Sequence, residues 1–161
     1  MKPRAIMFVC QGNVCRSPLA QALFEHMVEQ RELQKRYGAD STGVSSYHVG
    51  EDADRRMRET AARRGVSVRH RARAITRRDL SDFDLVLAMD RDNFSILQRM
   101  AQDDEQRAKI RMFREFDPQQ SADLEVPDPW YGGMDGFETV YQIVERTCAA
   151  LLDDLEEQPP A

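Results

Sequence analysis

No apolar run in this sequence approaches the ~18–20 residues needed to cross a bilayer. The opening "MKPRAIMFVCQGN" has too short an apolar stretch for a signal peptide and leads to no small-residue cleavage site. A cytoplasmic protein with no membrane partner is expected. Cysteine is scarce: three thiols in 161 residues are an odd number and lack the dense pairing of a secreted disulfide scaffold, so at least one is free. Cys10 and Cys15 also lack the second pair of ligands that a zinc site demands, and neither metal nor organic cofactor is implied. There is no internal repeat, low-complexity segment or linker, and only the terminal "QPPA", residues 158–161, reads as a short tail.

What remains is the composition of a single globular domain, residues 1–157, with 41% hydrophobic and 32% charged residues interspersed. Its charge is uneven. Arg55 to Arg78 holds ten arginines and one acid, Glu59, about +9 inside a chain whose net charge is -5. Such runs are usually solvated faces, and without aromatic interleaving or a recognition motif nucleic acid is not an expected partner.

Apolar patterning alternates strands with helices. "AIMFVC" suits a buried parallel strand, followed by a loop and a helix in which Leu19, Ala20, Leu23, Phe24 and Met27 recur at helical spacing. Ser17 offers an N-cap hydroxyl and Pro18 a first helical residue. A second strand is expected near Ala39 to Ser45, and a helix from Asp54 to Arg64 closed by Gly65. "FDLVLAMD" then reads as a strand leading to a helix capped by Asp90, and "IRMFREF" as a fourth strand. The last helix carries a capping-box pattern at Asp135 and Glu138 and an apolar stripe through Phe137, Val140, Tyr141, Val144, Cys148, Leu151, Leu152 and Leu155. This order predicts the α/β class: one three-layer domain, a four-stranded parallel sheet with helices on both faces, and a ligand site at the carboxyl ends of the strands, where Cys10 falls.

The first loop carries the chemistry. Cys10 and Arg16 form C-x5-R-S between a strand and a helix N-terminus, where successive backbone N–H groups and the helix end make an anion site. Gly12 permits the tight backbone, and Arg16 can clamp two phosphoryl oxygens with its planar fork. The amides, helix end and guanidinium together favour a thiolate at Cys10, a nucleophile aimed at phosphorus. C-x5-R alone recurs by chance, with a buried cysteine and a surface arginine as the plainer reading; the flanking strand and Ser-Pro helix start make the full string far more specific. Asp128, between Pro127 and Pro129, reads locally as a turn residue and chemically as a proton donor for a departing oxygen.

"VCQGNVCRSPLA" resembles the active-site loop of the low-molecular-weight protein tyrosine phosphatases. The resemblance continues in order through "DSTGVSSYHVGEDAD", "HRARAITRRD", "FDLVLAMD" and "VPDPWYGG". It implies a sheet of order 2-1-3-4 and hydrolysis of phosphotyrosine in proteins through a phosphocysteine on Cys10. Arg16 would be the phosphate clamp, with Gln11, Gly12, Asn13, Val14 and Cys15 completing the phosphate-binding loop. Asp128 would be the general acid and then the base, and Ser17 the hydroxyl donor to the nucleophile, beside its capping role. Asn13, Ser41 and His70 match a network that holds the loop, and a structural role is the favoured one for His70. Tyr47, Trp130 and Tyr131 match cleft positions, where aromatic walls suit a phenyl ring. Cys15 is placed for a reversible disulfide with Cys10. Expected partners are phosphotyrosine proteins such as a tyrosine kinase or a signalling protein, with phosphate or vanadate as inhibitors and a monomer as the default state.

Three other readings compete. Protein arginine phosphatases share the loop but carry threonine where this chain has Val14, which favours phosphotyrosine; Gln11, often apolar in the family, leaves the pocket rim open. Arsenate reductases of this fold use redox cysteines in the segment here written "DLSDFDLVLAMDRDNF", which has none. A phosphoryl-carrier domain also presents a cysteine after its first strand, but would have little use for Arg16 together with Asp128.

Overall fold

An apolar strand without a polar face needs cover on both sides, and β1 (Arg4–Cys10) receives it. Ile6, Phe8 and Cys10 join one buried cluster, while Met7 and Val9 join another across the sheet. In the computed structural model, which describes residues 2–120 and 122–158, β1 pairs in parallel with β2 (Tyr37–Gly43) and β3 (Leu85–Ala88), and β3 with β4 (Ile110–Met112). The sheet order is β2-β1-β3-β4, as expected.

Three helices cover the Phe8 face: α1 (Arg16–Gln30), α2 (Arg55–Ala62) and α6 (Met134–Glu157), which pack on one another. Phe8 meets Phe24 of α1 at 5.8 Å and Phe113 edge-on at 5.6 Å between ring centroids. Burying a side chain of this size contributes about 1.5–3 kcal/mol. All eight residues of the expected α6 stripe are buried there. The opposite face is covered by α3 (Arg77–Asp82), α4 (Arg91–Met100) and α5 (Asp104–Lys109), with Leu80 and Leu97 as the main anchors. No helix among the described residues is long and apolar enough to cross a membrane.

Caps set most of the boundaries. Asp54 accepts from the Arg56 N–H, Asp90 from Asn93 and Asp103 from Gln106, each satisfying a first-turn amide. Thr76 and Asp79 form a reciprocal capping box that starts α3. Four expectations are corrected. Helix α1 begins at Arg16, so Ser17 is its second residue and Pro18 its third, and the Ser17 hydroxyl turns inward instead of capping. Strand β2 starts and ends two residues earlier than expected. Strand β4 stops at Met112, because Glu115 reaches back to the Met112 N–H and closes a 3-10 turn over Phe113–Phe116 that delivers Phe113 to Phe8. No capping box starts α6: its N-cap is Gly133, and Glu138 instead bonds Arg64 and Gln142. Helices α3 and α5 were not anticipated. Helix α6 ends at Glu157; of the expected tail, Gln158 accepts a bond from Arg4, and residues 159–161 lie outside the described residues.

Candidate active site

Residues 10–16 wrap the top of the sheet between β1 and α1, and three of their carbonyls are bonded to segments outside the loop. Cys10 O accepts from Val44 N at 3.0 Å, Gln11 O from Ser45 N at 2.9 Å and Val14 O from Asp54 N at 2.7 Å. Three loop carbonyls are thus satisfied by neighbouring segments, which suits a cradle whose amides receive an anion. Close approach makes this possible at Gly43, where an added Cβ would fall 2.8 Å from Gln11 O and 3.0 Å from Asn13 N. At Gly12, a Cβ would strike the His48 ring at 2.8 Å. The cradle is thus pressed between β2 and the segment that follows it.

Asn13 is the keystone. It holds φ at +58°, a region that costs most side chains about 1–2 kcal/mol but suits asparagine better than most. Its side chain is fully buried and uses its whole capacity: Nδ2 donates to Ser17 Oγ at 2.8 Å and Ser41 Oγ at 3.1 Å, and Oδ1 accepts from His70 Nε2 at 2.8 Å and Arg73 N at 3.0 Å. The Ser41 hydroxyl in turn donates to Gln21 Oε1 at 2.7 Å. Arg73 is fixed in turn by Asp40 and Asp79. Burial lowers the pKa of His70, against a smaller opposing pull from Asp40, so the ring is neutral near pH 7 and Nε2–H is the donor. Ser17 Oγ then lies 3.0 Å from Cys10 Sγ and 3.3 Å from Thr42 O. The hydroxyl donates to Thr42 O, and its contact with sulfur lets the same proton turn to Cys10 when that group is a thiolate.

Arg16 is buried and braced. Its Nη1 donates to Asp90 Oδ2 at 2.8 Å and Val126 O at 3.0 Å, and its Nη2 lies 3.7 Å from Asp128 Oδ2. Burial works against the charge, but Cys10 and Asp90 outweigh it and raise the Arg16 pKa further. Asp90 does two jobs, holding Arg16 with one oxygen and capping α4 with the other. Asp128 sits half exposed, its Oδ1 accepting from Trp130 N at 3.0 Å in a local turn. Its loop is pinned from two sides: Arg114 donates to Glu125 O and Gln119 O, and Arg56 donates to Trp130 O at 3.2 Å.

Together these elements enclose a cleft of about 430 Å³. Cys10, Gln11, Gly12, Val14, Cys15 and Arg16 form its floor, and Tyr47, Asp128, Trp130 and Tyr131 its walls. Every cradle and cleft residue expected from the sequence is therefore brought to one place, with Asn13, Ser17, Ser41 and His70 directly behind it. Ser45 and His48 also line the cleft and were not anticipated. The His48 ring lies 4.7 Å from Tyr47 and 5.1 Å from Trp130, and Nδ1 is 3.0 Å from Glu51 Oε2, so it ties the two aromatic walls together. Asp90, Arg56 and Arg114 were missed as well; only the capping role of Asp90 had a sequence signal.

The two loop cysteines differ. Burial, reinforced by Asp54 and then by Cys10, pushes the Cys15 thiol far up, which keeps it protonated. Both are free thiols, and Cys148 is buried in α6 with its sulfur toward Ala20 O, apart from the cleft.

The family model of the low molecular weight phosphotyrosine protein phosphatases matches residues 5–161. The chain belongs to this family. Among members of the low molecular weight phosphatases, a protein-tyrosine-phosphatase of Streptomyces coelicolor is 42% identical over 154 residues, 95% of this chain and 94% of that protein. The crystal structure of a protein tyrosine phosphatase from Entamoeba histolytica, with Hepes in the active site, superposes with a TM-score of 0.91 at 38% identity, over 96% of this chain and 97% of that one. A Drosophila arginine phosphatase superposes with a TM-score of 0.88 at 32% identity, over 99% and 100% of the two chains.

Proposed function

We propose that this chain hydrolyses phosphotyrosine in proteins through a phosphocysteine intermediate. The observation that carries the reading is the meeting of Cys10, the braced Arg16 and Asp128 across one aromatic-walled cleft. The dianionic phosphoryl group occupies the cradle, clamped by Arg16 and the amides. Cys10 Sγ attacks phosphorus in line, the bond from phosphorus to the phenolic oxygen breaks, and Asp128 in its protonated form delivers a proton to that oxygen. Water then attacks the phosphocysteine; Asp128 takes the water's proton, and the S–P bond breaks with its electrons returning to sulfur. The Ser17 hydroxyl, 3.0 Å away, stabilises that departing thiolate. Every role falls to a side chain of the chain itself, so no metal or organic cofactor is required. Tyr47, Trp130 and Tyr131 form the walls that accept the phenyl ring, whose reach a phosphoserine lacks. Phosphate and vanadate compete for the cradle, and the substrates are phosphotyrosine proteins such as a tyrosine kinase or a signalling protein, met by a cytoplasmic monomer.

Cys15 guards the nucleophile. Peroxide oxidises Cys10 to the sulfenic acid with release of water, and Cys15, on giving up its proton, attacks that sulfur; the proton leaves with the hydroxyl as a second water and the two sulfurs form a disulfide. Mass spectrometry after mild peroxide treatment is expected to find the Cys10 to Cys15 link; sulfinic acid at Cys10 without it would remove this role.

The similarity to an arginine phosphatase gives the second reading its footing. Val14, buried at the cleft floor, is the residue that argues against it. The deciding experiment is metal-free steady-state hydrolysis of phosphotyrosine, phosphoserine and phosphoarginine peptides. Turnover of phosphotyrosine alone is expected, abolished in Cys10→Ser and reduced about 10²–10³-fold in Asp128→Asn. Preference for phosphoarginine would assign the chain to the other specificity, and a stable phosphoprotein without turnover would make it a carrier.

A further inference from the structure

Six of the ten arginines between Arg55 and Arg78 lie within ion-pair distance of a carboxylate, and three of the ten gather in one hollow. Arg55, Arg56, Arg64, Arg73 and Arg78 pair with Glu59, Asp54, Glu138, Asp40 with Asp79, and Asp82 respectively. Arg58 and Arg69 form no ion pair among the described residues, and both line a hollow of about 360 Å³ with Arg71. Arg58 is oriented by its Nε donating to Ala53 O at 2.9 Å, and Arg71 by Nη1 donating to Gly50 O at 3.1 Å. The one carboxylate in the hollow, Asp52, is exposed and only 3.8 Å from Arg71 at its nearest. His70, in the same wall, is neutral near pH 7 because burial lowers its pKa. Three arginines thus share a concave surface with one carboxylate, a local excess of positive charge.

This hollow adjoins the cleft. Tyr47 and His48 are cleft walls and Asp52 is a wall of the hollow. Four residues of chain span at most about 14 Å, and residues 49–52 are exposed along the way. The strap is held down by Gly50 N to Ala72 O and Ala72 N to Glu51 O, both near 2.8–2.9 Å. An extended peptide rises about 3.3 Å per residue, so roughly four residues cover the span.

We propose that this hollow is a second anion subsite, which binds the carboxylate of an acidic side chain carried some three to five residues from the phosphotyrosine of the substrate protein. The proposal rests on the phosphotyrosine reading of the cleft. Guanidinium forks match carboxylates bidentately, and the tether supplied by the engaged phosphotyrosine raises the local concentration of the acid. No phenylalanine, tyrosine or tryptophan lines the hollow, and the half-buried His70 ring is already engaged with Asn13, which disfavours nucleic acid, whose bases stack on such rings.

The test compares kcat/KM for two phosphotyrosine peptides that differ only in carrying aspartate or asparagine three to five residues from the phosphotyrosine, with the substitutions placed on each side in turn. The enzyme is the whole chain, as wild type and as the triple variant Arg58→Gln, Arg69→Gln, Arg71→Gln, with p-nitrophenyl phosphate as a small substrate. Wild type is expected to prefer the acidic peptide on one side by about threefold to tenfold through KM, less at 0.5 M salt, as exposed charge contacts allow. The triple variant is expected to lose the preference and keep its rate on p-nitrophenyl phosphate, while Asp52→Asn widens the preference. Equal treatment of both peptides by wild type, or a preference surviving in the triple variant, would overturn the subsite. So would a labelled oligonucleotide that displaces the acidic peptide through the same arginines. Inertness of wild type on p-nitrophenyl phosphate would instead bring down the phosphatase reading beneath it.

Discussion

The floor and the rim of the cleft are built to different standards. Cys10, Asn13, Arg16 and Ser17 are each 3% exposed or less, and Asn13 has no spare hydrogen-bonding capacity. At the rim Tyr47 is 83% and Tyr131 95% exposed, and Asp128 is held by one backbone bond and a 3.7 Å approach to Arg16. The contrast follows from what each part must do. A cradle that stabilises developing charge works only if its dipoles are aimed before the reaction, so it is paid for in buried hydrogen bonds. Walls that sort substrates act through contact area and can rearrange when the substrate arrives. Substitutions in the floor should therefore change stability and rate together, and substitutions in the rim should change substrate binding with the fold untouched.

The hardest test of this contrast is Asn13→Ala. It takes a donor from the Ser17 and Ser41 hydroxyls, leaves the His70 ring and the Arg73 N–H without their acceptor, and places alanine at positive φ. Stability is expected to fall by about 2–4 kcal/mol in urea denaturation. A misaimed cradle is expected to lower kcat by about 10²-fold. Asn13→Gly separates the two contributions: it relieves the backbone and should recover about 1 kcal/mol, yet without the side-chain bonds kcat stays low. A fully active Asn13→Gly would show that backbone shape alone sets the cradle and that the network behind it is passive.

How much of this was visible in the sequence depended on whether partners are near in the chain. The cradle is contiguous, so Cys10, Arg16 and the intervening residues could be read as a unit, and the α6 stripe declared itself by its period. Only the capping half of the Ser17 reading failed, and for a local reason: Ser-Pro before a helix looks like a cap, whereas the contact of its hydroxyl with the Cys10 sulfur was expected from the family resemblance and not from the local string. The braces of the site were hidden by distance. Arg16 reaches Asp90 across 74 residues and Val126 across 110, and Arg56 reaches Trp130 across 74. Such pairs leave no periodic trace, because only the sheet order β2-β1-β3-β4 brings their ends together. For the same reason the arginine stretch looked like one basic face, whereas six of its ten arginines are paired with acids drawn from β2, the segment after it, the cap of α2, α2 itself, α3 and α6.

At the rim the expected effects are smaller and of another kind. Tyr131→Ala or Tyr47→Ala should raise KM for phosphotyrosine peptides by about threefold to tenfold, the loss of part of one aromatic contact, while stability stays within about 0.5 kcal/mol of wild type. The effect of the pair should be smaller on p-nitrophenyl phosphate, which carries no peptide to touch the outer wall. A drop in melting temperature comparable with that of Asn13→Ala would erase the distinction between floor and rim, since it would mean that the walls help hold the fold.

The smallest effect reads the floor through a single proton. Burial lowers the pKa of His70 in the fold from its usual 6.5, so the unfolded chain takes up this proton before the folded one does. The stability linked to His70 is therefore fully present above about pH 6.5 and is lost as the pH falls toward the depressed folded value. Its slope is no more than about 1.4 kcal/mol per pH unit. The paired carboxylates Asp54, Asp79 and Asp117 are also lowered, from 3.8, by arginine and backbone partners that outweigh their burial, so their contribution is lost only at more acid pH, below about 4. The two windows do not overlap near pH 6. His70→Gln retains an N–H for Asn13 Oδ1 but binds no proton there, and its urea midpoint is expected to change less between pH 7 and pH 5.5 than that of wild type. Equal slopes in the two proteins would mean that another group carries the acid sensitivity and that the back of the cradle does not sense protons in this range.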